Sequence, residues 1–216
     1  RIAAVKGLIV SGKQKTSWGE LTLFYDGPEF LGKQRLHIQT SGESFFQVNP
    51  YQNWNLMRKV VEWAGLTGQE KVLDLFCGSG NLTLPLAQRA GKVWGIDQDP
   101  QAIDLAAENA RKNNLGNCRF IAARAEEGIK VVLQEAGAVE VVVLDPPRSG
   151  ARAILDLLTS LRPLKILYVS CEPPTLMRDL GRLEWLGYPV KRIQPLDMFP
   201  QTYHIEAIAE CRLRKE

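Results

Sequence analysis

Cysteine and histidine are scarce in this sequence, and their placement argues against two common ways of stabilising a fold. The chain has four cysteines and two histidines among 216 residues. The cysteines, Cys77, Cys118, Cys171 and Cys211, lie far apart, with no Cys-x-x-Cys pair. The sequence therefore predicts neither a disulfide framework nor a zinc site, and we expect no bound metal.

Long apolar runs and a strong charge imbalance are also missing. No stretch reaches the roughly 18 uninterrupted apolar residues of a membrane-spanning helix, and no signal segment opens the chain. We therefore expect a cytoplasmic, monomeric protein without a membrane partner. Lys and Arg outnumber Asp and Glu by only 27 to 24, so net charge gives no general argument for a polyanion partner. Because the first residue is Arg1, we expect a longer parent protein.

The pattern of the sequence changes near residue 45. Residues 1–44 alternate short apolar runs with Gly, Pro and charged turns, which predicts a small antiparallel β element. From Asn53 to Ala64, apolar residues recur at helical spacing, after an Asn-Pro pair that suits a helix start. With 45% apolar residues, the chain is long enough for one well-buried core. We therefore predict a small β element over 1–44 and one main domain over 45–216.

Apolar, strand-like runs alternate with helical patterns in the main domain. The runs span residues 72–76, 93–96, 119–122, 141–144 and 166–169, and a last one spans 207–213. This alternation predicts an α/β fold, a parallel sheet with helices on both faces. In open α/β sheets, ligands bind beyond the carboxyl ends of the strands. Functional residues are therefore expected directly after each run.

A glycine-rich turn, Asp74 to Asn81, follows the first of these strands. Its glycines let the backbone approach a ligand before a helix begins. A dinucleotide-binding fold prefers a further glycine where Thr83 stands, which weakens the dinucleotide interpretation. The second strand ends at Asp97, whose carboxylate suits the two hydroxyls of an unphosphorylated ribose. The alternative is that Asp97 merely caps the helix that opens near Pro100.

Two later strands end in residues that suit chemistry. After the fourth strand, two consecutive prolines fix the backbone, so the carboxylate of Asp145 is held rigidly at the ligand edge. The fifth strand ends at Cys171, next to a helix whose N-terminus favours a thiolate, although a single cysteine in an apolar strand is more often a packing residue. Glu206 precedes the last strand, where it is either a solvated charge or a base.

Three separated motifs resemble the RNA uracil-C5 methyltransferase family. They are Asp145-Pro-Pro-Arg-x-Gly, then Tyr168-x-Ser-Cys171, then Asp197-x-Phe-Pro-Gln-Thr-x-His-Ile-Glu206. The likeness extends to residues 45–50 and to the glycine-rich turn, and it covers nearly everything from residue 45 onward. It implies a Rossmann-like class I methyltransferase sheet, with S-adenosyl-L-methionine as cofactor and RNA as substrate. Residues 45–216 would then be the catalytic domain.

The resemblance also implies roles for individual residues. Cys171 is the implied nucleophile and Glu206 the implied general base. The cofactor pocket is implied to be lined by Gln47, Phe76, Asn81, Asp97 and Asp145. The sequence departs from the family pattern at Glu172, where Asn is usual, and at Arg124, where an acid or amide usually receives the adenine.

Methylation of uracil at C5 explains why such groups are needed. Carbon 5 is too weak a nucleophile until a thiolate, here Cys171, adds to C6. A carboxylate, here Glu206, then removes the C5 proton. We therefore predict a 5-methyluridine-forming enzyme that acts on 23S rRNA, with tRNA as the alternative substrate. Two further alternatives are RNA cytosine-C5 methylation and a non-catalytic RNA-binding module, while His204 is expected either to orient its loop or to contact RNA.

Overall fold

A seven-stranded sheet forms the centre of the fold. The computed structural model describes residues 7–11, 14–18, 22–27, 34–41, 47 and 49–214. The strands are β1 (Gly7–Ser11), β2 (Gln14–Trp18), β3 (Thr22–Asp26), β4 (His37–Ser41), β5 (Lys71–Leu75), β6 (Lys92–Asp97), β7 (Cys118–Ala122), β8 (Val141–Leu144), β9 (Lys165–Ser170), β10 (Val190–Leu196) and β11 (Glu206–Arg212). The helices are α1 (Pro50–Ala64), α2 (Thr83–Ala87), α3 (Pro100–Lys112), α4 (Ala125–Ala136), α5 (Leu155–Thr159) and α6 (Pro173–Trp185), with a 3₁₀ turn at Arg152–Ile154.

The order of strands in the central sheet is β10-β11-β9-β8-β5-β6-β7. The strands from β5 to β9 pair in parallel, whereas β11 is antiparallel to both of its neighbours. The predicted α/β class and its last strand are confirmed, but the sheet is mixed rather than wholly parallel. Strand β10 was not predicted, because as an edge strand it consists mostly of exposed and half-buried residues instead of forming an apolar run.

Helices cover both faces of this sheet, and the core is divided accordingly. Along β5, Val72 belongs to the buried cluster that includes α1, whereas Leu73 belongs to the cluster that includes α4, α5 and α6. This alternation follows from the two-residue period of a strand, whose successive side chains point to opposite faces. Both faces of the central strands are therefore buried, as is typical of α/β sheets.

Side-chain caps fix the starts of helices α1 and α3. The Asn49 side chain accepts a hydrogen bond from Gln52 N at 3.2 Å, and Pro50 opens α1. The Asp99 side chain accepts one from Gln101 N at 2.9 Å, and Pro100 opens α3. Asp99, rather than Asp97, is thus the capping residue of α3, which leaves the Asp97 carboxylate free for another task.

The N-terminal residues contribute two antiparallel strand pairs, β1–β2 and β3–β4. This confirms the predicted small β element. Strand β4 is also attached to the main domain, because Ile38 is buried in the same cluster as α1. The Asn109 side chain on α3 pairs with Gln39, accepting from its backbone N at 2.9 Å and donating to its carbonyl at 2.7 Å.

Candidate active site

A cavity of about 860 Å³ opens at the carboxyl ends of the parallel strands. Its volume falls within the range of roughly 300–1,000 Å³ that is usual for small-molecule sites. All of the predicted site residues except Asn81 line this cavity: Gln47, Phe76, Asp97, Asp145, Cys171 and Glu206. The fold therefore brings together residues from the start of the main domain, from four strand ends and from the start of β11.

The glycine-rich turn after β5 forms one wall of the cavity. Gly78 and Gly80 have positive φ angles of 52° and 94°, which residues other than glycine rarely adopt. The turn is tied to the end of β6, because Gly78 N donates to the Asp97 carboxylate at 3.0 Å. Asp99 N donates to the other oxygen of Asp97 at 2.9 Å. Backbone donors thus hold the Asp97 carboxylate in place at the cavity wall.

Asn81, in contrast, uses its side-chain amide outside the cavity. Asn81 and Asn53 exchange two hydrogen bonds, at 2.8 and 2.9 Å. The Tyr25 hydroxyl on β3 also donates to the Asn81 oxygen, at 2.9 Å. The Asn81 side chain thus links the β3–β4 pair and α1 to the glycine-rich turn, and its place in the cofactor pocket stays a prediction.

Asp74 lies buried below the turn rather than at its surface. Its carboxylate accepts a hydrogen bond from the Thr83 hydroxyl at 2.5 Å. Burial raises the pKa of Asp74 to about 7, and the charges of Asp145 and Asp97 act in the same direction. Thr83 stands where a dinucleotide-binding fold prefers glycine, so here that position supports an acid instead.

The predicted nucleophile, Cys171, is half-buried at the end of β9. Burial and the charges of Glu206 and Asp145 raise the pKa of its thiol, while a hydrogen bond from Arg148 and the charge of that arginine lower it. The balance is a raised pKa. The sequence-based expectation of a stabilised thiolate is therefore not met by the protein alone, because acidic groups and burial outweigh the effect of Arg148.

The predicted base, Glu206, begins β11 and lies against Cys171. Ala207 pairs with Ser170 across the antiparallel strands, and the same register continued by one residue brings Glu206 opposite Cys171. The side chain of Glu206 is only 3% exposed. Burial, and secondly the charge of Asp145, raise its pKa to about 8. The interpretation of Glu206 as a solvated charge is thereby excluded.

Asp145 completes an acidic cluster in the cavity. Burial raises its pKa to about 6. One oxygen of Glu206 and one of Asp74 are buried without a hydrogen-bond partner within the part of the chain that the structure describes. Unpaired buried polar atoms are unfavourable, so the site is suited to receive a group that donates hydrogen bonds or carries positive charge.

Arg148 and Phe199 also line the cavity and were not predicted as site residues. The Asp-Pro-Pro-Arg motif was the available signal for Arg148. Phe199 packs edge-on against His204, with ring centroids 5.9 Å apart. His204 in turn lies 4.2 Å from the Tyr203 ring. His204 thus packs against two aromatic rings in the loop before β11.

Both departures from the family pattern lie close to the cavity. The exposed Arg124 lines it and stands at the N-terminus of α4 without capping that helix through its side chain. Glu172 precedes α6, and its backbone N donates a hydrogen bond to the Ser170 hydroxyl at 3.1 Å.

Among the described residues, no group of three or more His, Cys, Asp or Glu side chains is arranged to hold a metal ion. None of the described helices has the length and apolar character needed to cross a membrane.

The strand order, the reversed β11, the glycine-rich turn and the acidic end of β6 define a class I S-adenosylmethionine-dependent methyltransferase fold. A sequence profile of the tRNA (Uracil-5-)-methyltransferase family matches residues 29–209. The chain belongs to this family.

Relatives of known sequence and structure agree with this assignment. An uncharacterized RNA methyltransferase of Clostridium acetobutylicum is 44% identical over 202 residues, which are 93% of this chain and 43% of the relative. One from Thermosynechococcus vestitus is 42% identical over 196 residues, 89% of this chain and 43% of the relative. The structure of Pyrococcus abyssi tRNA (uracil-54, C5)-methyltransferase in complex with S-adenosyl-L-homocysteine aligns with a TM-score of 0.70 and 33% identity, over 91% of this chain and 45% of that one. The chain thus spans less than half the length of these relatives.

Proposed function

We propose that the chain is the catalytic part of an RNA uridine C5-methyltransferase that makes 5-methyluridine. The observation that carries this proposal is the meeting of Cys171 and Glu206 on one cavity wall, at facing ends of β9 and β11. A nucleophile and a base in the same cavity are what C5 methylation of a pyrimidine requires. Membership of the uracil-5-methyltransferase family supports the choice of uracil over cytosine.

The residues on the cavity wall fit S-adenosylmethionine. Asp97 keeps unused lone pairs beside the backbone donors that hold it, as acceptance from ribose hydroxyls requires. Phe76 offers an apolar surface, and Asp145 an acidic group, on the same wall. We propose that these residues and Gln47 hold the cofactor. When bound, S-adenosylmethionine supplies an electrophilic methyl group on a positively charged sulfur.

Cys171 acts first in the proposed reaction. Its sulfur forms a bond to C6 of the uracil ring, which pushes electron density towards C5. The thiol must first lose its proton, and the raised pKa opposes this in the protein alone. Arg148 stabilises the thiolate, and protonation of Glu206 removes the charge that opposes it most. With a pKa of about 8, Glu206 is mostly protonated at neutral pH, so its charge does not hinder the attack.

Glu206 acts last. After C5 has been methylated, the carboxylate of Glu206 accepts the C5 proton, the C5–C6 double bond reforms and the bond from C6 to the Cys171 sulfur breaks. Accepting this proton needs the ionised form of Glu206. Any positive charge in the acidic cavity favours that form, because it counters the burial and the Asp145 charge that raise the pKa. Cys171 leaves C6 as a thiolate and regains from solvent the proton that its thiol first released there, so the pair returns to its starting state.

The test is the trapping of a covalent adduct on RNA that contains 5-fluorouridine, in the presence of S-adenosylmethionine. Fluorine at C5 blocks the proton removal, so the bond between Cys171 and C6 persists and a slower band appears on a denaturing gel. Cys171→Ala should give no adduct, whereas Cys118→Ala, which changes a cysteine away from the cavity, should still give it. An adduct with Cys171→Ala would disprove the assignment of the nucleophile.

Which RNA carries the target uridine is a finer proposal. We propose 23S rRNA as the substrate and keep tRNA as the second candidate. The family description and the name of the Pyrococcus abyssi enzyme favour tRNA. Methyl transfer to tRNA and to 23S rRNA transcripts, each with uridine- or cytidine-only loops, separates these candidates from cytosine methylation. No transfer to any of them, with the cofactor bound, would instead indicate a non-catalytic RNA-binding module.

The organisation of the chain is a further proposal. We propose residues 1–44 as a small β element next to a methyltransferase domain of residues 45–216, in a monomeric cytoplasmic enzyme. Because β4 is hydrogen-bonded to α3, the two parts should unfold in one transition. Size-exclusion chromatography with light scattering checks the monomer, and limited proteolysis checks the boundary.

A further inference from the structure

Asp179 on α6 is fully buried, yet it belongs to none of the groups that line the cavity. Its carboxylate accepts hydrogen bonds from the Ala151 backbone N and from the Tyr168 hydroxyl, each at 2.7 Å. Arg178 donates to its other oxygen from Nε at 2.9 Å and from Nη2 at 2.8 Å. A buried carboxylate with all of these partners is a fixed point in the structure, because moving it would leave a charge unpaired.

The partners of Asp179 fasten the segment that follows the two prolines. Arg178 also donates to the Ser149 carbonyl at 2.9 Å, so Ser149 and Ala151 are both held. Between them, Gly150 has a φ of 80°. A Cβ at Gly150 would lie 2.5 Å from an Asp179 oxygen and 2.6 Å from an Arg178 nitrogen, so only glycine fits beneath this clamp.

The fastened segment carries Arg148. Among the groups that shift the pKa of Cys171, Arg148 is the cation. The Arg148 carbonyl accepts a hydrogen bond from the Thr175 hydroxyl on α6 at 3.1 Å. Tyr168 and Cys171 lie on the same strand end, three residues apart in the sequence. The strand and helix that present the nucleophile therefore also hold the backbone of its cationic neighbour.

We propose that Asp179, with Arg178 and Tyr168, is a positioning residue that keeps the Arg148 guanidinium against the Cys171 sulfur. The inference rests on the proposed role of Cys171 as the nucleophile. Asp179 touches no reacting atom and acts through Arg148. The groups facing the sulfur are Glu206 from β11 together with Asp145 and Arg148 from the segment after β8. Loss of the clamp lets Arg148 move away and leaves the two acids to oppose the thiolate.

The experiment measures the rate at which iodoacetamide alkylates Cys171, by mass spectrometry of its peptide, as a function of pH. In Asp179→Asn, we expect the pH profile to move upward, with alkylation at pH 7.5 at least about threefold slower, since half a pKa unit corresponds to that factor. Removing the negative charge of Asp179 would by itself move the profile downward. An upward shift therefore reports the movement of Arg148, not the lost charge.

Four further variants make the outcome decisive. Asp156→Asn breaks the pair between Asp156 on α5 and Arg182 on α6 and should leave the profile unchanged. Arg148→Gln should give the upward shift itself, and adding Asp179→Asn to it should produce no further shift, because both act through one group. If Asp179→Asn fails to fold, Arg178→Lys is the substitute. It keeps the positive charge but loses the two-nitrogen contact with the Asp179 carboxylate, so it should also move the profile upward.

An unchanged profile in Asp179→Asn, or shifts that add in the double variant, would overturn the positioning role. The alkylation assay needs neither RNA nor cofactor. Failure of the positioning role is therefore distinguishable from failure of the proposed function, which would appear as the absence of an adduct on 5-fluorouridine RNA.

Discussion

Glu206 faces Cys171 because the antiparallel register that pairs Ala207 with Ser170 continues by one residue. The reversal of β11 is what makes this possible. A residue at the start of a parallel strand lies at the edge away from the ligands, whereas the start of an antiparallel strand lies at the ligand edge. The base thus reaches the nucleophile through strand direction rather than through a long loop.

Replacement of the base should stop the reaction after the covalent step. In Glu206→Gln, we expect methylated RNA to remain bound to Cys171, because no carboxylate removes the C5 proton, and turnover should fall at least about 100-fold. The measurement is a denaturing gel with ordinary uridine RNA and labelled cofactor. Rapid release of product by this variant would show that another group removes the proton.

The stability of the fold should depend on pH through Glu206. The ordinary pKa of this carboxyl is 4.5, and in the folded protein it is about 8. Because the folded value is raised, the contribution to stability is complete below the unfolded pKa and is lost as pH rises through the folded pKa. We expect the Tm of the wild type to fall between pH 5 and pH 9 more than that of Glu206→Gln. Parallel pH profiles for the two proteins would contradict the raised pKa.

Cofactor affinity should separate Asp97 from Asn81. Asp97→Ala removes a charged acceptor whose hydrogen bonds each contribute about 1.5–3 kcal/mol, so the Kd for S-adenosylhomocysteine should rise roughly 10-fold or more. In Asn81→Ala we expect a smaller rise, because that amide is bonded to Asn53 and Tyr25. Isothermal titration calorimetry gives both values. An equal loss in the two variants would restore Asn81 as a direct ligand.

The cap of α3 should be measurable without any ligand. Asp99→Ala removes the acceptor for Gln101 N and should lower the free energy of unfolding by about 1 kcal/mol. The exposed Asp104→Ala, within the same helix, is the control and should change stability much less. Urea denaturation of the two variants gives the comparison. Equal stability of both would mean that the cap contributes nothing.

Tyr203 should contribute to RNA binding. The residue is 91% exposed, lies in the loop before β11 and packs against the His204 ring. Stacking of a base on an aromatic ring contributes about 1–3 kcal/mol, so Tyr203→Ala should raise the KM for RNA about 5-fold or more and leave cofactor binding unchanged. Trp185→Ala, at the far end of α6, is the exposed aromatic control. A similar KM for both variants would argue against base stacking.

Much of the architecture follows from the sequence because buried strands have a distinctive pattern. The run around Val142 is uninterrupted and apolar, and the run around Val72 is broken only by Asp74, since helices cover both faces of the sheet there. Strand β10 escaped prediction because it is an edge strand that carries Lys191 and Arg192 on exposed positions. The direction of β11 is not visible in its side chains, because alternation is the same in either direction.

The site was predicted less evenly than the fold. The strand-end position of Cys171 and the rigid support of Asp145 follow from local sequence and chemistry. The burial of Glu206 does not, because it depends on pairing with strands that are distant in the chain. The role of Asn81 also could not be read locally, since its partners Tyr25 and Asn53 come from other elements.

The position of β11 in the sheet has a consequence for biosynthesis. β11 lies between β9 and β10 in space but follows both in the chain, and domains form while the polypeptide is still being made. Until residues 206–212 leave the ribosome, β10 has no strand partner in the described sheet and β9 keeps an open edge of the kind that invites wrong pairing. The strand that closes this gap also delivers Glu206, so completion of the sheet and assembly of the reactive pair are one folding event.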